Sequence, residues 1–203
     1  MSHTVLQIPV AELEPFVRAR TAHYDTDYVS PDPAFVHAHV TALGPFLPPG
    51  RLDVTALAVV AGIARTTAGF TFDLARIGTV PNGIIHLLPE PDEPFRRLTA
   101  RLWEAFPDCP PYAGEFGDVR PHLTLDARSQ AVSEASTLAR LGDLVPATCR
   151  AERLDLAWYE AGSCRVLRFW ALSKPAGQGE HPEHGGDDAA RGAQRPAAVT
   201  PST

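Results

Sequence analysis

At 203 residues, 44% apolar and 21% charged, the chain has the makings of one soluble globular domain, or of two small lobes sharing a core. Its net charge of −6, with one lysine and scattered arginines, argues against long or duplex nucleic acid as a partner, because such binding needs clustered cations. No apolar run approaches the roughly 18 residues of a membrane span, and the start MSHTVLQIPVAELE lacks the pattern of a secretory signal. A cytoplasmic protein without membrane contact is expected.

In chain order, TVLQIPV reads as a strand and AELEPFVRARTAHY as a helix interrupted early by Pro15. A strand FVHAHVTAL, residues 35–43, is closed by the Gly/Pro cluster GPFLPPG. LDVTALAVVAGIARTT has the length and apolar density of a helix, with Asp53 near its start. FTFDLARIGTV and GIIHLLPE form a hairpin around PNG, since Asn-Gly favours a tight turn. EPFRRLTARLWEAF is the clearest helix, with Phe95, Leu98, Leu102 and Phe106 on one face, Asp92 placed to cap it and Pro94 tolerated in its first turn. PHLTLDA is a strand and SEASTLARLGDL a helix, while CRAERLDLAWYE and CRVLRFWALS close the body as a hairpin around AGS. Trp103, Trp158 and Trp170 are assigned to the core. Strand, helix and hairpin material on both sides of the middle suggests two related lobes within residues 1–174.

From Pro175 onward the chain has no Leu, Ile, Phe, Tyr or Trp. Such a composition cannot bury enough apolar surface to offset ordering, so residues 175–203 are expected to be a disordered tail, with His181 and His184 solvated rather than metal-bound. An odd count of three cysteines closes no full disulfide framework, and reduced thiols are expected. The hairpin turn near Gly162 should place Cys164 beside Tyr159 or Glu160, well away from Cys149.

Alternation along a strand puts His37, His39 and Thr41 on one face of the first motif strand, with Val36, Ala38, Val40 and Ala42 on the other. In the second, His122, Thr124 and Asp126 share a face opposite Leu123 and Leu125. Each strand can therefore bury an apolar row while a histidine and a threonine two residues later look away from the core. For one copy, a half-exposed strand histidine is the plainer explanation. Two copies, 83 residues apart, suit a division of labour between general base and general acid, because imidazole titrates near neutral pH. His37 beside His39 invites a metal, but two ligands without a third are insufficient, and no metal is assigned. His86 reads as a packed strand histidine.

The elements HVTA (His39 to Ala42) and HLTL (His122 to Leu125) resemble the paired signature motifs of the 2H phosphoesterases, a group that includes 2′-5′ RNA ligase-like proteins and RNA 2′,3′-cyclic phosphodiesterases. LGPF after the first motif and the proline before the second are similar too, and the likeness runs from about Val5 to Ser173. The resemblance implies an α+β fold: two lobes related by a pseudo-twofold axis, antiparallel sheets backed by helices, and a central cleft. It implies His39 and His122 as the catalytic pair and Thr41 and Thr124 as phosphate ligands, with no cofactor. Arg120 is a candidate for a further phosphate contact, and Phe46, Tyr112 and Tyr159 for stacking a base. The expected partner is a small nucleotide bearing a cyclic phosphate, or an RNA terminus, and the expected state a monomer. The expected reaction is cyclic-phosphate hydrolysis with a bell-shaped pH dependence. The alternatives are 2′-5′ end-joining by the same groups, or nucleotide and RNA-end binding without turnover.

Overall fold

A computed structural model describes residues 2–114 and 120–174. The expected tail, residues 175–203, lies outside the described residues. Eight strands form one antiparallel sheet: β1 (His3–Pro9), β2 (His39–Leu43), β3 (Phe70–Thr79), β4 (Ile84–Glu90), β5 (Leu123–Ala127), β6 (Ala147–Ala151), β7 (Arg153–Tyr159) and β8 (Arg165–Ala171). Their spatial order is β6-β3-β4-β5-β2-β1-β7-β8. The sheet thus divides into two four-stranded halves, one on each side of the contact between β2 and β5. That contact has a single register pair, Val40 opposite Leu123. The fold is α+β, with the two lobes meeting at the motif strands.

Four helices cover the sheet: α1 (Glu14–Tyr24), α2 (Val54–Arg65), α3 (Glu93–Ala105) and α4 (Glu134–Leu141). One sheet face is apolar by alternation, carrying Leu6, Ile8, Val40, Leu87, Leu123, Leu125 and Leu156, all essentially inaccessible. Phe95, Leu98 and Leu102 of α3, and Val60, Ile63 and Ala64 of α2, join the same core. Each of those leucines contributes roughly 1.5–3 kcal/mol by leaving water, which fixes which face must be inward and so fixes the register.

Caps explain the helix starts. Asp53 accepts from the Ala56 N–H at 2.8 Å, and Ser133 and Ser136 form a reciprocal box at the start of α4. Asp92 precedes α3 but makes no capping bond; its carboxylate pairs instead with Arg96, one turn on, at 2.8 Å. Three other expectations are corrected. The first motif strand starts at His39, not Phe35. CRAERLDLAWYE is two strands, since β6 pairs with β3 at one end of the sheet and β7 pairs with β1 in the other half. Trp103 is 47% exposed, one position off the buried stripe of α3, whereas Trp158 is buried and Trp170 packs against the core. The cysteines are free and buried, and Cys164 Sγ reaches the Glu160 carbonyl at 3.5 Å, as the hairpin geometry required.

Candidate active site

The antiparallel register at Val40 and Leu123 settles how the two motifs meet. One step either way sets His39 across from Thr124 and Thr41 across from His122. All four side chains lie on the face away from the packed leucines and are half-buried. Each histidine therefore has the other motif's threonine as its cross-strand neighbour, within the distance at which such pairs touch.

Both imidazoles are oriented by the same local device. Nδ1 of His39 lies 2.7 Å from the His37 carbonyl, and Nδ1 of His122 lies 2.9 Å from the Arg120 carbonyl. A carbonyl can only accept, so Nδ1 carries the proton in each ring and Nε2 is left with its lone pair in the neutral form. Burial pushes His39 down from 6.5 to about 4, opposed by the bond to the His37 carbonyl and aided by the neighbouring His122. Burial also lowers His122, against the pull of the Arg120 carbonyl, and His86 adds to the lowering. Both rings are therefore neutral near pH 7.

The surroundings of the two rings differ. Beside His39, the Tyr159 hydroxyl donates to Gln7 Oε1 at 2.7 Å and sits 3.4 Å from His39 Nδ1. Beside His122, the Tyr112 ring stacks at 5.8 Å and the His86 ring lies edge-on at 5.2 Å. The register gives these neighbours matching places: Gln7 is opposite Thr41 and His86 is opposite Thr124. Tyr112 is also hydrogen-bonded to Thr41. It adopts the left-handed conformation (φ 50°), as does Ala113 (φ 56°), at a cost of about 1–3 kcal/mol each. Its N–H bond to the Gly44 carbonyl, 2.7 Å, helps to hold that loop against the cleft.

His37, beside His39 in sequence, faces a different task. Its Nε2 accepts the Ser30 N–H at 3.0 Å and its Nδ1–H is given to Glu14 at 2.6 Å. The other Glu14 oxygen takes the Ala38 N–H at 2.9 Å. Neither nitrogen of His37 is left for a metal, and among the described residues no group of three His, Cys, Asp or Glu side chains is placed to hold one. Asp126, at the end of the polar row, is buried in a two-pronged ion pair with Arg20 of α1, 2.6 and 3.0 Å, which draws α1 alongside the cleft.

The sequence-derived candidates sort as follows. His39, His122, Thr41, Thr124, Tyr112 and Tyr159 come together. Phe46 does not: it is buried in the core, edge-on to Phe106 at 4.9 Å, and cannot stack a base. Arg120 lines a separate depression with Arg76, Glu90 and Asp92, and its carbonyl touches His122. Gln7 and Glu14 were not anticipated. A glutamine inside the apolar run VLQIP was the available signal, since a buried amide demands a partner. Two recesses flank His39 and Tyr159, of about 250 Å³ on the α1 side and about 370 Å³ on the Tyr112 side.

Residues 9–163 match the family model described as the 2′-5′ RNA ligase superfamily. No curated protein matches the sequence. Among solved structures, TT0787 of Thermus thermophilus is similar over 86% of this chain and 100% of its own, at 22% identity and a TM-score of 0.57. Escherichia coli LigT in its apo form is similar over 85% of this chain and 98% of its own, at 18% identity and a TM-score of 0.52. The LigT structure complexed with 3′-AMP gives 18% identity and a TM-score of 0.51 over 85% and 99% of the two chains. At these identities the structural likeness speaks for the fold.

Proposed function

The chain belongs to the 2′-5′ RNA ligase superfamily, and from that premise and the cleft's geometry we propose that it is a metal-independent phosphodiesterase, hydrolysing the 2′,3′-cyclic phosphate of a small nucleotide or an RNA end. One observation carries the reading: the Val40–Leu123 register sets two H-x-T elements side by side, each imidazole tethered through Nδ1 and each Nε2 without a hydrogen-bond partner among the described residues. A nucleotide as ligand is supported by the 3′-AMP held by the similar LigT.

The chemistry balances with these groups alone. One neutral Nε2 takes a proton from water as the water oxygen bonds to phosphorus. The other histidine, protonated, gives its Nε2 proton to the ribose oxygen as the phosphorus–oxygen bond breaks. Each transfer contributes about 10²–10⁴ in rate. The Thr41 and Thr124 hydroxyls donate to the non-bridging oxygens as charge grows on them. An incoming phosphate anion also favours the charged imidazole, so binding itself helps load the proton that burial otherwise disfavours.

The test is turnover of 2′,3′-cyclic nucleotides, and of an RNA with a cyclic-phosphate end, with chelator present. His39→Ala and His122→Ala should each lose about 10²-fold or more while product still binds. The free-enzyme pH profile should be bell-shaped and displaced to acid. Burial lowers both imidazoles, His39 to about 4, so both limbs of the profile should lie on the acid side of the usual histidine range. Alanine variants as active as the wild type, or a profile flat from pH 5 to 9, would defeat the proposal. Joining of the cyclic end to a 5′-hydroxyl in place of hydrolysis would make it a ligase.

A further inference from the structure

The recess of about 250 Å³ on the α1 side opens onto His39 and Thr124, and aromatic rings dominate its wall: Tyr24, Tyr28, Phe35 and Tyr159. Phe35 and Tyr159 hold one another edge-on at 5.3 Å. Tyr24 and Tyr28 have no ring partner among the described residues, and Tyr24 is 41% exposed. Among the described residues no arginine or lysine lines the recess. The nearest cation of α1, Arg20, is committed to Asp126. A phosphate chain finds no counter-charge here, whereas a flat aromatic ring finds stacking surface. The volume is below the roughly 300 Å³ at which sites for drug-sized ligands begin, which suits one base and not a polymer.

The polar groups on this wall are mostly spent. His37 has both nitrogens bonded, the Tyr159 hydroxyl donates to Gln7, and the Thr21 hydroxyl donates to the Val17 carbonyl. Thr124 faces His39 and is reserved for phosphate in the reading above. Asp25, the residue that ends α1, makes no side-chain hydrogen bond or ion pair among the described residues, and it is one of the residues that line the recess. A carboxylate offers only acceptors. Of the four RNA bases, guanine alone presents two adjacent donors, N1–H and the N2 amino group, to match both oxygens. Adenine and cytosine set an acceptor beside their amino group, and uracil flanks its N3–H with two carbonyls.

We infer that this recess is a nucleobase pocket selective for guanine, with Tyr24 and Tyr28 as stacking surface and Asp25 as the acceptor for the base edge. It rests on the phosphodiesterase reading for the placement of the phosphate at His39 and Thr124. The substrate it selects is a nucleoside 2′,3′-cyclic phosphate, or an RNA end, whose last base is guanine.

The experiment compares kcat/KM for the four nucleoside 2′,3′-cyclic phosphates and for ribose 2′,3′-cyclic phosphate, which has no base. Alongside it, calorimetry measures binding of guanosine and adenosine 2′-monophosphate. Guanosine should lead adenosine by about tenfold or more in both measurements, the discrimination a two-pronged base contact provides. Asp25→Asn should bring the guanosine-to-adenosine ratio close to one, and Tyr28→Ala should weaken all four bases together. Equal kcat/KM for the four bases, or a guanine preference untouched in Asp25→Asn, overturns the pocket while turnover of the base-free ribose phosphate leaves the catalytic reading standing. If no cyclic phosphate turns over, the catalytic reading fails, and calorimetry alone decides the pocket: equal affinities for the two monophosphates refute it.

Discussion

Glu14 should prove to be a support on which His39 depends, although it lies 25 residues upstream. Its two oxygens hold the His37 ring and the Ala38 N–H, and the His37 carbonyl in turn holds His39 Nδ1. Glu14→Ala leaves both donors without a partner. The His37 side chain is 3% exposed, and Ala38 is fully buried. An unsatisfied buried donor costs about 1–3 kcal/mol, so two would cost about 2–6. The Glu14 side chain is 21% exposed, so water can enter as it leaves, which places the loss at the lower end, about 2–3 kcal/mol. For a chain of this size each kcal/mol moves the melting temperature by about 2–4 °C, giving a fall of about 4–12 °C. Glu14→Gln should recover only part, because its single carbonyl oxygen serves one donor while its amide nitrogen confronts the other. Thermal melts and urea titrations of the three proteins measure this. Single-turnover rates should fall by up to about 10²-fold in Glu14→Ala as the His39 ring loses its fixed direction. A melting temperature and rate for Glu14→Ala indistinguishable from wild type would refute the reasoning.

Two further outcomes follow from buried charge. His39, lowered from 6.5 to about 4, contributes stability that is fully present above pH 6.5 and lost as pH falls through 4, because the unfolded chain takes the proton first. At about 1.4 kcal/mol per pH unit this amounts to at most about 3 kcal/mol, so urea midpoints at pH 7 and pH 4 should lie closer together in His39→Gln than in the wild type. Asp126→Ala strands the largely buried Arg20 guanidinium and should cost about 3–5 kcal/mol in urea unfolding, whereas the apolar pair Arg20→Met with Asp126→Leu should recover most of it.

The motif strands were legible because strand periodicity is geometric. Once Val40, Leu123 and Leu125 are inward, His39, Thr41, His122 and Thr124 have one place to go. What stayed hidden depends on distant partners. Phe35 to Ala38 has the composition of a strand, yet Glu14 takes the His37 ring and the Ala38 N–H and the chain bends into the sheet only at His39. Residues 149–160 read as one strand, since every residue tolerates an extended backbone. The break at Glu152 arises because β3 and β1, in opposite halves of the sheet, each claim one part. Phe46 follows the motif closely enough to have been placed at the cleft, but Phe106 draws it into the core. By contrast, the exposure of Trp103 was readable: it stands one residue beyond Leu102, and about 100° of helix turn carries it off the apolar stripe.

A near-repeat that supplies the same histidine twice raises a difficulty, because acid–base catalysis needs the two to differ. Two imidazoles in identical surroundings would hold a single shared proton equally often, so half of the singly protonated molecules would have the two roles reversed. Here the backbone tether is the same on both sides and burial lowers both rings, His39 to about 4, while the strands next door give each ring different neighbours. The position opposite Thr41 is Gln7, bonded to Tyr159 beside His39; the position opposite Thr124 is His86, edge-on to His122. The first neighbour is a neutral amide that closes the site around His39. The second is a titratable ring that resists a proton on His122. The symmetry of the fold brings the two motifs together, and the neighbouring strands give the two imidazoles different surroundings.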